Sequence, residues 1–129
     1  MQNNLGSLLH KGVEHIMMIN QNGRAESMVS KSKIILSKER QEIFFMGFRL
    51  HQSLLQEFND EFGPVEDFVI RRGNAKIVSV PFDSCNVVLI MNNETDHEFL
   101  VNKIKEIGES CNSNISELKL TCVEVLVND

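Results

Sequence analysis

The sequence predicts an α+β domain, with a five-stranded antiparallel sheet, a long central helix, a terminal helix and a C-terminal tail. Three observations carry this prediction. Two hairpin-turn signals, Asn22-Gly23 and Gly73-Asn74, each separate a pair of extended runs. One long helix, bounded by Ser37 and Gly63-Pro64, lies between those hairpins. After Pro64 the apolar residues recur at period two, as in a half-buried strand. The predicted order is α-β-β-α-β-β-β-α, and the helical connection lets the second hairpin join the sheet beside the first.

Each element has its own signature. Leu5, Leu8 and Leu9 follow i, i+3, i+4 spacing and predict a short first helix. Val13–Ile19 is the first strand. Arg24–Ser30 returns, and its polar, Ala/Ser-rich composition suits a sheet edge. In the central helix Ser37 is the expected N-cap and Glu39 adds favourable charge in the first turn. Its apolar arc is roughly 200° wide, against the ~100° or more that packing on one core requires. Ile43, Gly47, Leu50, Leu54 and Phe58 are expected to cover the sheet, with Gly47 allowing close approach. Phe44, Phe48, His51 and Leu55, with Phe45 nearby, are then surplus and form a contact surface.

Val65–Arg72 and Ala75–Phe82 form the second hairpin, with Pro81 near a strand end, where a missing donor is tolerated. Val87–Met91 is apolar throughout and belongs at the centre of the sheet. Thr95 and Glu98 form a capping box for a helix ending near Gly108. Residues 1–110 make one domain and 111–129 an extension. In Ile115–Val127 the β-branched content favours a strand, while Ile115, Leu118, Cys122 and Val125 also fit helical spacing.

Composition narrows the function classes. A formal net charge of −5 argues against a general nucleic-acid or membrane-surface binder. Three cysteines without CxxC spacing argue against a disulfide framework or zinc site and fit a reducing cytoplasm. No run reaches the ~20 apolar residues of a membrane span, and the N-terminus lacks the charged region of a signal peptide.

The four histidines, His10, His15, His51 and His97, show no metal-ligand spacing. His51 lies within the apolar arc, where burial disfavours its charged form; a packed histidine is the commoner outcome and a pH-sensitive interface the sharper one. Cys85 falls in a polar turn, without the signature of a catalytic nucleophile. Lys31, Lys33, Lys38 and Arg40 cluster at a helix start, where a solvated face is commoner than an anion site. Glu57, Asp60 and Glu61 crowd the helix C-terminus, against its dipole. No phosphate loop is present. Catalytic, cofactor and metal residues are accordingly expected to be none.

Val13–Ile19 with Asn22-Gly23, then Val65–Arg72, Gly73-Asn74, the Val80-Pro81-Phe82 step and Val87–Met91, resemble the roadblock/dynein light-chain domain of the profilin-like group. Glu61–Val65 with Lys76–Phe82 is similar to small archaeal proteins near that superfamily. The resemblance covers about residues 5–108; the tail has no counterpart in it. It implies a non-enzymatic interaction, scaffold or regulatory module that dimerises through the central helix and the adjacent strand. Phe44, Phe45, Phe48, His51, Leu55, Phe68 and Ile70 are then the contact positions, and a small GTPase or other protein the further partner. The alternative is a signalling domain that senses a small molecule between sheet and helix, with His51, Met46 and Phe82 lining the pocket. A small enzyme using Cys85 or His51 is the least supported reading.

Overall fold

The computed structural model describes residues 5–9 and 12–110; the expected strand or helix after Ser110 and His10 lie outside the described residues. A short 3-10 helix, Leu5–Leu8, precedes strands β1 (Val13–Asn20) and β2 (Ala25–Ser30). Helix α1 (Lys38–Gln56) and the single turn α2 (Asn59–Phe62) follow. Strands β3 (Phe68–Arg71), β4 (Lys76–Pro81) and β5 (Cys85–Met91) then lead into α3 (His97–Ser110). The five strands form one sheet, ordered β2-β1-β5-β4-β3, and every pairing is antiparallel. The expected α+β class, and the central place of the apolar Val87–Met91 run, are what the chain adopts.

Helices cover both faces. Against one face pack the 3-10 helix and α3, through Leu5, Leu100, Val101 and Ile104, onto Ile16, Val78, Val87 and Leu89. Full burial of a side chain of that size contributes roughly 1.5–3 kcal/mol. Gly108 lies on the same face of α3, where a Cβ would come within 2.4 Å of the Phe82 ring. On the other face α1 packs Phe45 and Phe48 over Met17, Ile19, Ile77 and Val88. Phe48 stacks on Phe68 with 6.2 Å between ring centroids, and Phe44 meets Phe48 edge-on at 5.0 Å.

The orientation of α1 is the reverse of the expected one. Phe45 and Phe48 are only 7% and 5% exposed, whereas Ile43, Leu50, Leu54 and Phe58 are 64%, 58%, 67% and 55% exposed. A Cβ on Gly47 would meet nothing within 4 Å, so that glycine faces outward and does not touch the sheet. The inward line is Phe45, Phe48 and Gln52, at i, i+3, i+7, with Gln52 4% exposed. A polar residue in the inward line disguised it as a solvent face, and the flanking aliphatic stripe took its place in the sequence pattern.

Local chemistry explains the other departures. Helix α1 stops at Gln56 instead of running to Phe62. The break puts Asp60 and Glu61 into the first turn of α2, where the dipole favours them, instead of the last turn of α1, where it opposes them. Asp96, not Thr95, caps α3: its Oδ1 accepts from the amides of Glu98 at 3.0 Å and Phe99 at 3.4 Å. The Thr95 hydroxyl instead donates to Asn92 Oδ1 at 2.7 Å. Cys85 is buried as the first residue of β5 and does not lie in an exposed turn. Ser37 caps α1 as expected, accepting from the Arg40 amide at 3.2 Å.

Candidate functional site

Two features of the α1 face have no role in holding the sheet together. The first is the outward stripe of α1. Helical spacing places Ile43, Met46, Leu50 and Leu54 on one side, and Phe58 and Phe62 extend the exposed apolar surface past the helix break. Exposed apolar surface of this kind is a candidate interaction site. Strand β3 runs beside the helix, as the Phe48–Phe68 and His51–Phe68 ring contacts show. Among the described residues it pairs only with β4, which leaves its other side an open sheet edge.

The second feature is a groove of about 620 Å³ between α1, the Ser32–Leu36 connection and the sheet. The registers explain it. One cross-strand row on this face runs Ser30–His15–Ile90–Ile77–Ile70. The next row, Met28–Met17–Val88–Ser79–Phe68, carries the α1 aromatics. His15, Ile90, Ile77 and Ile70 of the first row line the groove, and Ile77 also packs under Phe45 and Phe48. Three fixed cations, Lys33, Arg40 and Arg72, stand around it together with His51. His15 is buried, shares a 2.7 Å hydrogen bond between its Nδ1 and Ser30 Oγ, and has its pKa lowered by desolvation, partly opposed by Glu14.

The expected contact residues divide among these places. Phe45 and Phe48 are core; Phe44 and Leu55 are half-buried on α1. Phe68 and Ile70 are half-buried on β3. His51 is exposed at the groove, 4.7 Å from the Phe68 ring, not inside a buried arc. Of the three expected pocket residues, only His51 lines the groove. Phe82 borders a separate polar recess of about 80 Å³ beside Gln52 and Cys85, and Met46 packs on the Gly23 turn. Burial pushes the Cys85 thiol up to about 11, which removes the thiolate that nucleophilic chemistry needs. Among the described residues, no cluster of His, Cys, Asp and Glu is able to hold a metal ion, and no helix is long and apolar enough to cross a membrane.

Among the described residues the sheet carries α1 on one face and the 3-10 helix with α3 on the other. No family model and no curated protein matches the chain. Solved structures do. The Roadblock/LC7 domain from Streptomyces avermitilis superposes with a TM-score of 0.66 at 12% identity, over 87% of this chain and 92% of that one. MglB from Myxococcus xanthus gives 0.65 at 11% identity, over 82% and 85%. An MglB described as having a tetrameric arrangement gives 0.56 at 7% identity, over 76% and 79%. At these identities the likeness establishes the fold, and the fold is that of roadblock/LC7 domains. Closeness to small archaeal proteins is not shown by these structures.

Proposed function

We propose that this protein is a non-enzymatic, cytosolic interaction module of roadblock type, and that it forms a homodimer through the outward stripe of α1 and the free edge of β3. The observation that carries the reading is the stripe itself. Ile43, Leu50, Leu54 and Phe58 are more than half exposed on a chain whose cores on both sheet faces are already filled. A second copy is the occupant that this geometry favours. A two-fold axis beside α1 sets stripe against stripe and brings two β3 edges side by side, satisfying strand groups that are otherwise open to association. The tetrameric arrangement of an MglB with this fold supports self-association. Gly47 faces outward in the middle of the stripe, where a side-chain-free position lets two helices approach closely. The resemblance of the chain to roadblock domains adds a small GTPase as a further partner of the dimer.

Oligomeric state tests the proposal. Sedimentation at about 100 µM protein is expected to give a dimer, because the mass of a weak homodimer depends on protomer concentration. Leu50→Asp and Leu54→Asp are each expected to yield a folded monomer, since an unpaired charge at a buried interface is costly. Phe48→Asp is expected to unfold the protein, since Phe48 belongs to the core. A wild-type protein that stays monomeric at that concentration rules the dimer out.

A further inference from the structure

The groove beside α1 has a charge pattern that neither the fold nor the dimer explains. The protein is acidic, with 18 Asp and Glu against 13 Lys and Arg. The groove reverses that balance: Lys33, Arg40 and Arg72 line it, and no Asp or Glu does. Among the described residues, none of the three makes an ion pair. They come from three separate segments, namely the β2–α1 connection, the first turn of α1 and the end of β3. Among the described residues no carboxylate answers these charges, and a bound anion would.

The floor between the cations is apolar. Ile70, Ile77 and Ile90 form one cross-strand row, and Ile34 and Leu36 add an aliphatic wall. The volume, about 620 Å³, lies within the ~300–1,000 Å³ typical of small-molecule sites. An inorganic anion would leave most of the apolar surface wet. An uncharged hydrophobe would leave the three cations unanswered.

We propose that this groove binds a small amphipathic anion: an anionic head group, carboxylate or phosphate monoester, drawn to the cations that rim the groove, Lys33, Arg40 and Arg72, with an apolar tail laid along the isoleucine row. The site adds a ligand to the interaction module. Ile43 and Gly47 border both the groove and the outward stripe, so the bound tail would lie next to the dimer contact.

The test titrates the full-length protein with decanoate, decyl phosphate, decyltrimethylammonium and inorganic phosphate, followed by calorimetry and amide chemical shifts. Both decyl anions are expected to saturate one site per chain and to shift His15, Ile70, Arg72 and Ile90. The ammonium analogue and inorganic phosphate are each expected to bind at least about tenfold more weakly, the loss when one well-placed recognition element is removed. The tighter of the two anions identifies the head group. The Lys33→Gln, Arg40→Gln, Arg72→Gln triple variant changes only exposed positions. It is expected to keep its circular dichroism spectrum and to lose the anion by about the same factor. Equal affinity for the cationic analogue overturns the proposal. So does binding of inorganic phosphate as tight as decyl phosphate, or binding to phosphatidylglycerol vesicles without binding of either monomeric anion.

Discussion

Gly47 and Gly108 are both helical glycines, and their surroundings give them opposite sensitivities. Gly47 faces open space, so alanine there removes backbone freedom from the unfolded chain without a clash. Gly47→Ala is expected to stabilise the protomer by about 0.5–1 kcal/mol in urea titrations at low concentration, while weakening the dimer. Gly108→Ala is expected to do the reverse to the fold. The new methyl meets the Phe82 ring, which is packed on the core, and overpacking of this kind costs roughly 1–3 kcal/mol. His15 provides a pH test. Desolvation lowers its pKa, so the folded state holds fewer protons than the unfolded state as the pH falls. The stability it contributes is complete above the ordinary value of about 6.5 and is lost as the pH drops through that value towards the lowered one. His15→Gln, which keeps a polar partner for Ser30, is expected to flatten the urea-midpoint profile between about pH 7.5 and 5.5.

At the scale of elements, end signals were more legible than faces. Ser37 stops the chain from fraying into α1 because its side chain meets the Arg40 amide, and that pairing is local in sequence. Ser37→Ala is expected to cost about 1 kcal/mol, read as a shift in thermal midpoint. The Asn22-Gly23 turn was legible for the same reason: Gly23 adopts φ 77°, and the turn closes between Asn20 and Arg24. The facing of α1 was not local. Its apolar arc was wide enough for either side to serve as the core, and Gln52 in the inward line favoured the wrong one. The aromatics won the sheet face because Phe45 and Phe48 reach Met17, Val88 and Phe68. The groove was still further from view. His15, Lys33 and Arg72 border one groove only after the strands pair and α1 settles on the sheet. The basic run Lys31–Arg40 hinted at it, but Arg72, the third cation, lies on another hairpin.

At the scale of the whole molecule, the two edges of the sheet formed by the described residues differ in character. Strand β2, at one edge, carries Glu26, Ser27 and Ser30, which discourage association. Strand β3, at the other, is short and apolar in three of its four residues, Phe68, Val69 and Ile70. The proposed dimer uses the second edge, the one that lies beside the α1 stripe. Replacing Val69 by proline removes a donor from β3. Arg72 donates to Ala75, so by alternation the Val69 amide points away from β4, and the change is expected to weaken the dimer in sedimentation while leaving amide exchange of β4 unchanged.

The division of α1 into an inward line and an outward stripe also bears on how such a chain changes over generations. Phe45, Phe48 and Gln52 answer to the sheet, while Ile43, Leu50 and Leu54 answer to whatever lies outside. Substitutions in the second set are released from the demands of folding. A duplicated copy can alter its partner preference, or pair with its sibling in place of itself, with its architecture untouched.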